Sequence, residues 1–148
     1  MVPRSLSIAI IVGVLAGGLF GLFFVKIDNN NQLEFVEGSS LSIVTEKTDF
    51  DLGEEITIKI INSGTNQLTF SDASYGLQIR GLDGRVFYSP TADQVISLLE
   101  PKEEKTFVWS QMKNDGDQAL AGNYKITTSA LDVAGKTIKK SITINIYK

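Results

Sequence analysis

The stretch Glu55-Ile56-Thr57-Ile58-Lys59-Ile60-Ile61 sets isoleucine at 56, 58 and 60 against polar side chains at 57 and 59. Successive side chains of an extended chain point to opposite faces, so this alternation predicts a half-buried β-strand. The β-branched isoleucines favour the same backbone, being restricted at χ1 and suited to a pleated surface. Downstream, Asn62-Ser63-Gly64-Thr65-Asn66 reads as a turn made of residues that tolerate unusual backbone angles, with a short return strand over 67–70. Upstream, 41–46 is a first strand with Leu41 and Ile43 on one face. Further on, 75–82 alternates Leu77 and Ile79 with Gln78 and Arg80. Asp83-Gly84 then predicts a type I′ hairpin into 86–89, which Pro90 ends.

The segment 92–99 fits either a strand or one helical turn followed by a strand. A further strand is expected over 103–109, with Phe107 and Trp109 on one side. After a turn at Asn114-Asp115-Gly116-Asp117, segments 122–131 and 137–147 form a long antiparallel pair joined through 132–136, with Ile142, Ile144 and Ile146 sharing a face. Many short strands with turns at short spacing and no amphipathic helix predict an all-β domain. The expected form is an immunoglobulin-like antiparallel β-sandwich over 41–148, without internal repeats.

A different pattern precedes it. Leu6 to Val25 is twenty residues without a charge, about 30 Å as a helix, which matches the hydrocarbon core of a bilayer. A secretory signal is the rival, but its apolar region is typically only ~7–15 residues and ends at a small-x-small cleavage site. The only such site, Ala16-Gly17-Gly18, lies in the middle of the run, so a retained transmembrane helix is expected over 6–25. Residues 1–5 are its flank, and the polar, Asn-rich 26–40 is a linker to the sandwich. Arg4 and the α-amine before the span, against Lys26 and Asp28 after it, favour a cytoplasmic N-terminus and an extracytoplasmic C-terminal domain. Within the span Ala9, Gly13, Gly17 and Gly21 recur every four residues, a stripe that lets a second helix pack closely. Helix–helix association, with itself or another span, is therefore expected in addition to contact with the lipid bilayer.

Composition narrows the chemistry. Residues 26–148 carry thirteen of the fourteen Lys/Arg and all seventeen Asp/Glu, a net charge of −4. The two signs are interspersed, which argues against nucleic acid as a partner. No cysteine is available for a disulfide or a lipid anchor, and no histidine for general-base catalysis or zinc. The carboxylates Asp49, Asp51, Glu54 and Glu55 lack the spacing of a calcium-binding loop and read as a solvated turn. Asn114, Asp115 and Asp117 lack the further ligands of a coordination shell. Trp109 reads as the largest filler of the core, and Lys139-Lys140 as protection of a sheet edge. Nothing resembles a nucleophile elbow or a phosphate-binding loop, so no enzyme, cofactor or metal site is expected.

From Phe50 onward the order of signals resembles the intracellular proteinase inhibitor (BsuPI-type) β-sandwich domain. The resembling elements are Gly53-Glu54 before an alternating strand, Asn62-x-Gly64, Leu68-x-Phe70, Asp83-Gly84 before Val86, Leu99-x-Pro101-x-Glu103 leading to Phe107-x-Trp109, and Gly122-x-Tyr124. It covers roughly residues 41–147 and is similar to archaeal members that pair one N-terminal span with such a domain. Lys102 stands where that family's Pro-Gly-Glu turn has glycine. The resemblance implies the fold; no reactive-site motif matches position by position, so no inhibitor residues follow from it.

The function expected from the sequence is a membrane-anchored extracytoplasmic binding module with a protein partner in the envelope. It is proteinase-inhibitor-like and acts through the loops 62–66, 71–74 and 113–121. The alternative is a structural or stator-like component of an archaeal surface filament or envelope assembly.

Overall fold

The computed structural model describes residues 33–148. The expected membrane span, its stripe of Ala9, Gly13, Gly17 and Gly21, and residues 26–32 of the linker lie outside the described residues. Among the described residues no helix is long and apolar enough to cross a membrane.

The described chain is all-β. Its strands are β1 (Leu41–Thr45), β2 (Asp49–Asp51), β3 (Ile56–Asn62), β4 (Leu68–Phe70), β5 (Gln78–Gly81), β6 (Val86–Tyr88), β7 (Ser97–Leu99), β8 (Glu104–Trp109), β9 (Gly122–Leu131) and β10 (Thr137–Tyr147). The small sheet has the order β1-β3-β8, and the large one β2-β10-β9-β4-β7, with β5 and β6 continuing from β9. Ile56, Ile58 and Ile60 are fully buried, and they share one core with Leu68, Phe70, Leu77 and Ile79 and with Ile126, Ile144 and Ile146 of the large sheet. The two sheets therefore face each other as a sandwich. Burying an isoleucine of this kind is worth about 1.5–3 kcal/mol, which makes the alternation of β3 the main local commitment to this fold. β9 and β10 pair antiparallel from Thr137↔Leu131 to Ile146↔Gly122, as their spacing predicts.

The structure differs from the sequence expectation at four places. β2 is an additional strand, pairing parallel with the end of β10 through Asn145↔Asp49 and Tyr147↔Asp51. Only Phe50 of its three residues is buried, so its acidic neighbours disguised it as a turn. Segment 92–99 forms a strand only over its last three residues. The hairpin at Asp83-Gly84 is not type I′: Gly84 has φ 85° but Asp83 is not in the left-handed region. Its bonds, Gly84 N to Gly81 O and Gly81 N to Arg85 O, describe a type I turn closed by a glycine bulge. The same pattern closes 113–117 and 132–136 through Gly116 and Gly135.

The type I′ geometry occurs instead at Ser74-Tyr75-Gly76-Leu77, where Tyr75 and Gly76 have φ 53° and 63°. Leu77 N donates to Ser74 O across this turn. Its place explains it. β9 pairs with β4 at Leu131 and with β5 over residues 124–127, and the turn fills the gap between them. Thr128 Oγ1 donates to Tyr75 O, and a Cβ on Gly76 would lie 2.7 Å from Ser129 O. A bulky residue rarely adopts this backbone, and the Tyr75 ring offsets the strain by packing 4.9 Å from Phe70 and 6.2 Å from Phe107.

Candidate functional site

The three loops expected to carry recognition have different fates. Loop 62–66 is a structural corner. Asn62 and Ser63 have no exposed surface. Asn62 Nδ2 donates to Leu99 O and Asn66 O, both at 2.8 Å, while its Oδ1 accepts from Gly64 N at 3.0 Å. One side chain thus joins β3 of the small sheet to β7 of the large one. Gly64 passes so close to the preceding segment that a Cβ would stand 2.2 Å from Gly38 O.

Gln111 performs the same task at the opposite end. It is fully buried, with Nε2 donating to Asp51 O and Oε1 accepting from Gly53 N, both at 2.8 Å. These two carboxamides bolt the sheets together at both ends of the sandwich. Neither was legible as such in the sequence. Their partners lie 37 and 60 residues away.

Loop 71–74 is also committed internally. Asp72 Oδ1 accepts from the Ser74 hydroxyl and from Ser74 N, and the hydroxyl above all holds the Asp72 carboxyl below its ordinary value of 3.8. Loop 113–121 is largely exposed, but the Lys113 ammonium lies 3.6 Å from both Asp115 and Asp117 and takes the place a bound cation would need. Tyr124, at the start of β9, donates its hydroxyl to Leu120 O at 2.7 Å and ties the end of this loop down. Burial pushes its phenol upward.

The other singled-out residues are structural. Trp109 is buried, stacked 6.1 Å from Tyr88 and edge-on 5.7 Å from Tyr124, with its indole N–H donating to Met112 O. Glu54 pairs with Lys47 at 2.7 Å and accepts from Asp51 N. Asp49 accepts from the Asn145 amide, the chief cause of its lowered carboxyl. Among the described residues no group of three His, Cys, Asp or Glu is placed to hold a metal. Lys140 stands opposite buried Thr128 on the stretch of β10 that β2 does not cover. Lys140 is exposed there, and a charged side chain on an uncovered strand discourages another strand from adding.

What remains open is the outer face of the large sheet. Register places Arg80 directly opposite Lys125, and Lys125 opposite Thr143. The next rows are Gln78–Thr127–Ser141 and Ser129–Lys139. Above them Leu98, Thr69 and Leu131 form one row across β7, β4 and β9. Ile96, two residues before Leu98, is 70% exposed; Leu98 and Leu131 are 47% and 43% exposed. The Arg80 guanidinium is held along the sheet by Gln78 Oε1 and Gly84 O, not by a carboxylate. The ion pairs of the described residues use Lys47, Lys59 and Lys113, and none uses Arg80, Lys125 or Lys139.

No protein-family model matches the chain, and no curated protein matches it. Among solved structures it is similar to Spo0M, a sporulation control protein from Bacillus subtilis. The identity is 15% over 76% of this chain and 51% of that chain, with a TM-score of 0.47. It is also similar to part of a β-glucosidase from Listeria innocua, at 12% identity over 74% of this chain and 16% of that chain, with a TM-score of 0.36. The chain spans about half the length of Spo0M and a small part of the glucosidase. At these scores neither likeness carries an argument about what this chain does.

Proposed function

We propose that the chain is a membrane-anchored, extracytoplasmic binding module built on an immunoglobulin-like sandwich. Three features support the fold assignment. The first two strands divide between the sheets, β2 runs parallel to the last strand, and Tyr124 bonds back to the backbone four residues upstream as a tyrosine corner does. The anchor rests on the uncharged run from Leu6 to Val25, and the helix-packing role on Ala9, Gly13, Gly17 and Gly21.

The observation that carries the binding role is the contrast in how polar groups are used. Asn62, Gln111, Asp72, Asp49 and Glu54 are engaged within the domain, whereas the cations on the outer face of the large sheet have no acidic partner among the described residues. Charge without an acidic partner among the described residues, beside an exposed apolar row, is a surface suited to binding.

Protease treatment of intact cells, with carbonate extraction of their membranes, tests the topology. The domain is expected to be cleaved from outside and the uncut protein to stay with the membrane fraction. Carbonate release, or protection in intact cells, would sink the anchored, outward-facing reading. The narrower form of the proposal, proteinase inhibition through loops, predicts slowed cleavage by a target proteinase at micromolar concentration. Crosslinking in intact cells that recovers only filament subunits would replace it with the structural alternative.

A further inference from the structure

The outer face of the large sheet is unusual within its own domain. Residues 26–148 are acidic overall, yet the outward positions of β9 and β10 include Lys125 and Lys139 and no Asp or Glu. Arg80 faces Lys125 across the strand pair. Like charges directly opposite one another are destabilising, and the fold gains nothing from them internally. The small sheet handles the same problem differently, pairing Lys59 with Glu104 on the neighbouring strand at 3.0 Å. The strands of the large sheet carry carboxylates only at Asp49 and Asp51 of β2, where Asp49 is engaged by Asn145 and Thr48.

We infer that this face is the docking surface of the module, and that its occupant is a protein segment that is acidic along its length and apolar at one end. The inference rests on the binding-module reading and names the partner's chemistry. Complementary charge requires carboxylates over Arg80, Lys125 and Lys139. The row of Leu98 and Leu131, with Ile96, requires apolar side chains at the other end. At ~3.4 Å per residue, the row of Lys125 lies about 20 Å from that of Leu131, which is six residues further along β9, and that of Lys139 about 7 Å from it. An extended acidic segment of about six residues carrying a pair of apolar side chains covers this distance. A nucleic acid or other dense polyanion fits less well. It presents a charge every ~1.7–3.4 Å, whereas the cations here are few and about 13 Å apart along the strands. The apolar row would also lie unused.

The test is a titration of the isotope-labelled full chain, in zwitterionic detergent micelles, with a synthetic peptide of a leucine pair followed by a run of glutamates. Amide shifts are expected around Arg80, Lys125, Lys139 and Leu131 and not on the small sheet. The double variant Lys125→Glu, Lys139→Glu is expected to weaken binding about tenfold or more, and Leu131→Ser about threefold, since charge reversal removes attraction and adds repulsion. An all-glutamate peptide and inorganic polyphosphate are the controls, both expected to bind more weakly. Equal affinity for either control would overturn the stated partner class. Shifts mapping elsewhere, or no saturable binding up to millimolar peptide, would overturn the surface itself. Both results are independent of the cell-fractionation test, so failure here leaves the membrane reading standing and the converse holds as well.

Discussion

The corner at Asn62 and the outer face at Lys125 are both rich in polar groups, and they use them in opposite ways. At the corner every donor and acceptor of the Asn62 side chain is matched at 2.8–3.0 Å in a place without solvent. On the face, Lys125 stands opposite another cation and finds no carboxylate among the described residues. A buried polar group must be satisfied internally, because leaving it unpaired costs about 1–3 kcal/mol. An exposed cation carries no such requirement and remains available to a partner. The comparison separates residues that hold the sandwich together from residues that it displays.

The strongest way to break that comparison is to remove the amide. Asn62→Ala leaves Leu99 O, Asn66 O and Gly64 N without their partner, and a loss of about 4 kcal/mol is expected, summed from the orphaned groups. Thermal denaturation would register this as a fall in Tm of about 15 °C for a domain of this size. A loss under about 1 kcal/mol would show that water replaces the amide and that the corner is no bolt. Gly64→Ala approaches the same corner sterically. Its new Cβ would meet backbone atoms Gly38 O at 2.2 Å and Ser40 N at 2.6 Å, so the 38–40 segment must move, at a cost of about 3 kcal/mol by urea denaturation. Unchanged stability there would mean that the segment is not held against β3.

How much of this was legible in the sequence depends on how local each feature is. The alternation of Ile56, Ile58 and Ile60 is a property of one strand, and it correctly predicted both strand and core face. Asn62 and Gly64 were visible as turn residues, but neither has the unusual backbone angle for which such residues are usually chosen. Asn62 is there for its amide, and Gly64 for its missing side chain. Both reasons depend on chain brought in from elsewhere. The type I′ turn went to Tyr75-Gly76 and not to Asp83-Gly84 because packing on Phe70 and Phe107 overrode local propensity. The displayed face was not legible: Lys139 read, with Lys140, as protection of a sheet edge, and the opposition of Arg80 and Lys125 exists only once β5 and β9 are in register.

A smaller effect sharpens the distinction from the stabilising side. Lys102 adopts φ 67° in the turn Glu100-Pro101-Lys102-Glu103, closed by Glu103 N to Glu100 O, and so takes the third position of a type II turn, which favours glycine. A left-handed backbone costs a residue with a Cβ about 1–2 kcal/mol, part of which glycine returns as entropy of the unfolded chain. Lys102→Gly is therefore expected to stabilise by about 0.5–1 kcal/mol, raising Tm by ~2–4 °C. A decrease would mean that the lysine side chain contributes something that no recorded contact accounts for.

The smallest expected change is the most discriminating. Lys125→Glu turns the like-charge opposition with Arg80 into an opposite-charge pair, and cross-strand pairs of this kind differ by about 0.2–1 kcal/mol. Stability should rise by about 0.5 kcal/mol, an increase of ~2 °C in Tm, while affinity for the acidic peptide falls. The two readouts move in opposite directions only if Lys125 is retained for what it meets outside the domain. Should stability fall by more than about 1 kcal/mol, the lysine belongs with Asn62 as part of the internal framework, and the division between corner and face fails. A rise in stability with unchanged binding would leave the cation row as a surface cost without a partner. Only a gain in stability coupled to a loss of binding matches a surface kept slightly unfavourable for the sake of recognition.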